Sequence, residues 1–157
     1  MAKRQKHHQT ITIVAPGSPE CEIELHINHV PGGKTTFTPG YAYTSGLLAA
    51  VRHPEIVVFG LKREIAANIL KDLVQRIVVN NASFRANHVY PDIFVGHRAV
   101  FHELAPAQIR KYLGERDRKG YASKALQLIW PDNKDLFPWE TGFEEHLRRL
   151  QPVTGLH

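Results

Sequence analysis

Cysteine is almost missing from this chain of 157 residues, which holds one, Cys21. That excludes an internal disulfide framework and any metal site built on several thiolates. Long apolar runs are missing too, and none approaches the roughly 20 residues a membrane-spanning helix needs. The stretch Ile11–Ala15 is interrupted by Thr12 and stopped by Pro16, too short for the roughly 7–15 apolar residues of a secretory signal. There is no internal repeat and no low-complexity segment. No H-E-x-x-H pair occurs among the ten histidines. His7, His8 and His157 are terminal, and His26 and His29 have opposite strand parity, so no metal is expected. One cysteine and no leader point to the cytoplasm.

A strong charge of one sign is likewise lacking. Lys and Arg number 20 against 15 Asp and Glu, for +5. Three of the cations, Lys3, Arg4 and Lys6, sit in the first six residues, and without them the balance is 17 against 15. The folded part is therefore close to neutral. Residues 1–9 read as a flexible basic arm that either solubilises the chain or touches nucleic acid weakly through those three cations. Arg110, Lys111, Arg116, Arg118 and Lys119 form a second basic stretch, broken by Glu115 and Asp117, as on a solvated face.

Hydrophobic residues make up 43% and charged residues 22%, the composition of one globular domain, placed at 10–152 with a tail at 153–157. Cys21–Val30 alternates, with Ile23, Leu25 and Ile27 on one side and Glu22, Glu24 and His26 on the other. Further strands are expected over Thr10–Ala15, Thr35–Thr44, Phe84–Tyr90, Ile93–Val95, Arg98–Leu104 and Ala125–Trp130. Glu55–Phe59 reads as a central strand, because four adjacent apolar residues require cover on both faces. From Lys62 to Val79, Ile65, Ile69, Leu70, Leu73 and Ile77 recur at helical spacing. Shorter helices are expected over Pro106–Leu113 and Phe143–Leu150. The class is α+β: a mainly antiparallel sheet, with closure into a barrel as a variant, carrying one long helix.

Gly33-Lys34-Thr35 copies the end of a phosphate loop. Asn28 stands where its first glycine belongs, and Thr36–Gly40 cannot supply the helix that should follow. It reads as a turn.

Several phrases carry a resemblance when read in order: Tyr41-Ala42-Tyr43-Thr44-Ser45-Gly46-Leu47, His53-Pro54-Glu55, Phe59-Gly60-Leu61, Leu126–Asp132 and Phe137-Pro138-Trp139. Over about residues 37–152 the chain resembles the DUF4262 family, bacterial domains of unknown function. The resemblance implies a bacterial or phage origin and an intact shared fold, and brings no activity or cofactor. Ile27–Val30 stands where that family is expected to begin with a Gly-Trp-type strand.

The site expected from these residues is an aromatic-walled pocket at one rim of the sheet. His53, on a loop stiffened by Pro54, is the candidate acid or base, with Glu55 or Asp132 as its carboxylate partner. Tyr43, Thr44, Gln127, Trp130 and Trp139 are the candidate ligand-binding residues. Each also has a plain structural reading: turn capping for His53 and Asp132, packing for the tryptophans, a buried amide bond for Gln127. A small-molecule enzyme or ligand-binding protein with no cofactor is the first expectation. The second is a non-catalytic interaction module, such as an accessory or inhibitor protein of a bacterial mobile element, working through a sheet edge or aromatic patch. A flavin-binding split-barrel-like protein is a third, on fold analogy alone.

Overall fold

The computed structural model describes residues 7–15, 18–33, 38–114 and 124–153. Seven strands form one open sheet in the order β1-β2-β3-β4-β7-β6-β5. They are β1 (His7–Ala15), β2 (Ser18–Val30), β3 (Tyr41–Ser45), β4 (Glu55–Phe59), β5 (Val89–Phe94), β6 (His97–Glu103) and β7 (Ala125–Ile129). Every pairing is antiparallel except β4 with β7. The sheet does not close, because β1 and β5 are its two free ends. Barrel closure is thus corrected, and the split-barrel analogy loses its premise.

Helices α1 (Leu47–Val51), α2 (Arg63–Asn80) and α3 (Pro106–Leu113) and a 3-10 turn at Glu145–Arg149 complete the fold. β4 and β7 are buried at every residue, as the four adjacent apolar residues of β4 demand, and β7 buries Gln127 among its apolar residues. α2 packs one sheet face. Its Ala66, Leu70, Leu73, Val74, Ile77 and Val78 meet Leu25, Ile27, Ile56, Val58, Phe101, Leu126 and Leu128 in the main core. Ile65 departs from the expected stripe and is 48% exposed. Asn81 ends α2 at φ 55°, and the Ala82 amide donates to Arg76 O (2.9 Å), a left-handed stop that asparagine tolerates. The opposite sheet face is covered by Ile109, Leu113 and Tyr112 of α3 against Tyr43, Val57 and Phe59, and by Phe137 against Val100 and Ile129.

Other boundaries moved. β1 begins at His7, so His8 and Gln9 belong to the sheet and not to a free arm. The third strand starts only at Tyr41, after the Pro39-Gly40 break. Phe84–Asn87 is a loop, and β5 (Val89–Phe94) takes in both Tyr90 and Ile93. Lys3, Arg4 and Lys6, the residues 116–119 of the second basic stretch, and residues 154–157 of the tail lie outside the described residues.

The C-terminal segment is tied to the sheet by side-chain amides. Gln151, 1% exposed, accepts from the Trp130 amide and donates to the Trp130 carbonyl, both at 2.8 Å. It continues the β7 ladder with a side chain in place of a strand. Gln127 Nε2 donates to Pro152 O (2.6 Å). Gly60 makes room for this segment: it sits at φ +78°, and a Cβ there would lie 2.4 Å from Leu150 O. Gly60→Ala therefore combines a left-handed strain of about 1–2 kcal/mol with a backbone clash. Urea unfolding of that variant is expected to show a loss of at least about 2 kcal/mol.

Candidate functional site

The three acid–base candidates sit at three separate joints of the backbone. His53 is 5% exposed. Its Nδ1 lies 2.8 Å from Pro54 O and its Nε2 accepts from the Phe84 amide at 3.0 Å. Nδ1 must then carry the proton, and neither nitrogen is left for a substrate. Burial lowers its pKa below the ordinary value, against a smaller opposing pull from the Pro54 carbonyl. The ring holds the loop before β5 against the start of β4.

Glu55, 2% exposed, accepts from Thr44 Oγ1 (2.9 Å) and from the amides of Gly46 (3.1 Å), Leu47 (3.2 Å) and Leu48 (3.2 Å). The last three are the unpaired amides at the start of α1, so the carboxylate caps that helix from a neighbouring strand. Burial pushes its pKa up, and the four hydrogen bonds pull it part of the way back. Thr44 Oγ1 also accepts from the Ile56 amide (2.9 Å), which locks β3 to β4.

Asp132 closes the turn after β7. Its Oδ1 accepts from Lys134 N (2.9 Å) and Leu136 N (3.0 Å), and its Oδ2 from Glu144 N (3.0 Å). Desolvation would raise its pKa, but the three amides prevail and hold it below the usual carboxylate range. No hydrogen bond or ion pair joins any two of His53, Glu55 and Asp132.

The aromatic candidates divide between the two sheet faces. Trp130 belongs to the α2 face, with Nε1 donating to Phe59 O (2.7 Å). It borders a shallow groove with Leu61, Ile65, Phe94 and Asp132. On the other face Tyr43, Val57, Gln127 and His102 lie in one cross-strand row. Trp139, 49% exposed, stacks on His102 at 4.9 Å and 16° and on Phe137 at 5.1 Å and 17°. It borders a separate groove with Pro138, Arg148 and Pro152. The expected residues thus do not share one hollow.

Sequence reading missed a groove of about 560 Å³ between α2 and the β1–β2 ribbon. One wall carries His8, Gln9, Ile27 and His29. The other carries Arg63, Glu64, Ala67, Asn68 and Lys71, one side of the first turns of α2. Arg63 Nη2 lies 3.5 Å from Glu64 Oε1. Glu64 is held below its ordinary pKa by its own amide first, with smaller contributions from Arg63 and His29. Missed too were Gln151 and the Asp135–Arg98 fork, in which Arg98 Nε donates to Oδ2 at 2.6 Å and the Arg98 amide to Oδ1 at 2.8 Å. Among the described residues, no group of three or more His, Cys, Asp or Glu side chains is placed to hold a metal ion.

An open, mostly antiparallel sheet with one long helix on one face, and with Thr44, His53, Glu55, Trp130 and Asp132 fixed at its strand ends, defines the class of domain. The chain belongs to the DUF4262 family, a domain of unknown function, whose family profile matches residues 22–144. No curated protein and no solved structure matches the chain. β1 and the first residues of β2 lie outside the matched region. No helix among the described residues is long and apolar enough to cross a membrane.

Two measurements test these assignments. Thr44→Val keeps the shape and deletes the hydroxyl, leaving the buried Ile56 amide without its acceptor and Glu55 one donor short. A stability loss of about 2–3 kcal/mol is expected, while Thr44→Ser is expected to restore most of it. His53 gives a pH signature with a defined sign. Its folded pKa lies below the unfolded 6.5, so below pH 6.5 the unfolded chain takes up a proton that folded His53 refuses. Stability therefore falls as pH drops from about 6.5, by at most about 1.4 kcal/mol per pH unit from this residue. Denaturant titrations at both ends of that window should show a shallower fall for His53→Asn than for the wild type.

Proposed function

We propose that the protein binds a small multivalent anion in the groove between α2 and the β1–β2 ribbon. What carries the reading is the groove itself, about 560 Å³ in volume and lined from three elements by Arg63, Lys71, His8 and His29. That volume falls within the range of small-ligand sites. Lys71 makes no ion pair among the described residues, so its charge is available to a ligand. Arg63 and His29 already face Glu64, which an incoming anion must outcompete. Gln9 and Asn68 supply amide donors. Ile27 and Ala67 offer a small apolar surface to the ligand body. This reading assigns His53, Glu55 and Asp132 to the fold, since backbone amides and carbonyls use their polar atoms. It places the protein in the cytoplasm of a bacterium, on the strength of its cysteine usage and family.

Isothermal titration with citrate and with inorganic pyrophosphate tests the reading. Saturable binding is expected with a Kd of about 1 mM or tighter. Lys71→Gln should weaken it about tenfold, and Glu64→Gln should strengthen it by removing the competing carboxylate. Lys134→Gln, far along the chain in the Asp132 turn, should change nothing. Failure of both anions to saturate, or equal affinity in the wild type and Lys71→Gln, would overturn the proposal.

A further inference from the structure

The two ends of the sheet are protected very differently. β5 is six residues long, carries Pro91 and Asp92, and has a register irregularity between Tyr90 and Phe94. Those are the devices that keep an edge strand from pairing with another chain. β1 has only the last of these, and only at its end, where its register on β2 shifts between Val14 and Ala15. Its nine residues include no proline and no Asp, Glu, Lys or Arg, and its register on β2 is unbroken from His7 to Val14. Thr10, Ile11, Thr12, Ile13 and Val14 are β-branched throughout, the residue type best suited to a pleated strand. Among the described residues, the far side of β1 has no strand beside it.

The ribbon also reaches past the rest of the sheet. β3 pairs only with His26–Val30 of β2, whereas β1 continues along β2 to Ser18. Residues 18–25 therefore have a single strand neighbour, a weak arrangement for two strands on their own. Ile11, Ile13 and Ile23 are partly buried against the main core, while Thr10, Thr12 and Val14 are exposed.

We propose that β1 pairs antiparallel with β1 of a second copy of this chain, about a two-fold axis at Ile11, joining the two seven-stranded sheets. The occupant follows from the strand's chemistry. An uncharged edge offers a charged peptide no complementary partner, so the best match is another neutral, β-branched strand of equal length, and β1 is itself that strand. Only the axis at Ile11 engages all nine residues, because it sets His7 opposite Ala15. It sets Gln9 opposite Ile13 and Thr10 opposite Thr12, and the apolar face of each strand continues that of the other. This proposal is independent of the groove reading.

Sedimentation velocity on the full chain, from about 1 µM to about 1 mM, reads the outcome. A concentration-dependent dimer is expected. In the register above, the double substitution Thr10→Lys/Thr12→Lys places like charges opposite each other on both sides of the axis. It should weaken dimerisation at least about tenfold. Thr10→Glu/Thr12→Lys places opposite charges there and should keep the dimer. Within one chain, positions 10 and 12 pair with His26 and Glu24, so the second variant suits the monomer fold as well, and circular dichroism checks that both variants are folded. A monomer across the whole range overturns the proposal and leaves the edge to a foreign strand. Equal dimerisation by wild type and the double-lysine variant overturns it, and so does equal loss in both variants.

Discussion

A buried carboxylate organises the middle of this fold. Glu55 begins the central strand β4, yet all four of its donors come from the segment 44–48. α1 has five residues and no side-chain cap of its own, far too short to hold helical structure unaided. It persists because a strand eight residues later supplies the acceptors its first turn lacks. The same group fixes Thr44, whose hydroxyl then takes the Ile56 amide. The β3–α1–β4 connection is thus set by one side chain, and the position of β4 sets those of β3 and β7 beside it. The arrangement costs something: burial works against the charged form of Glu55, and the fold tolerates that because the alternative is three unpaired amides in its interior.

The same logic extends to the other residues that carry the family resemblance. His53 reaches across to the Phe84 amide, Trp130 to the Phe59 carbonyl, and Asp132 to three amides of the following turn. Gly60 admits the Leu150 carbonyl. The His53, Trp130 and Gly60 contacts join a strand end to a segment distant in sequence, and Asp132 organises the turn that leaves β7. A resemblance built on such residues speaks for architecture. Polar side chains at strand ends are also where catalytic groups are found, which is why the two roles look alike until the partners of each nitrogen and oxygen are known.

Local pattern carried part of the fold and stopped at long-range contacts. α2 was legible because its apolar spacing has the helical period. β2 was legible from strict alternation, β4 from its four adjacent apolar residues, and β7 from a mostly apolar stretch around Gln127. α1 was not, because its cap lies outside the helix in Glu55. The early part of β5 was misplaced because Phe84 and Tyr90 look strand-forming, whereas Phe84 spends its amide on His53. The choice between an open and a closed sheet depended on whether β1 meets β5, which no local period encodes. Of the candidate site, residue types such as His53 and Asp132 could be picked out but their partners could not. The groove had no signature at all, since Gln9, His29, Asn68 and Lys71 are ordinary surface residues that become neighbours only through the packing of α2 on the ribbon.

The family match begins at residue 22, and β1 lies before it. Without β1, β2 would itself be the edge of the sheet, and Glu22 and Glu24 would sit beside its open backbone, the kind of charge that discourages further pairing. With β1 added, those residues face Val14 and Thr12 across a completed ladder, and the open backbone moves out to a strand without such charge. The same addition supplies Gln9 and His8 to the groove wall. One strand therefore changes two properties at once: it replaces a guarded edge with an unguarded one, and it deepens the angle between sheet and helix into a cavity. The open edge lies wholly where the chain extends beyond the region matched by its family, and the groove lies partly there, through His8 and Gln9, while His53, Glu55, Trp130 and Asp132 of the matched region bond the backbone that holds the sheet together.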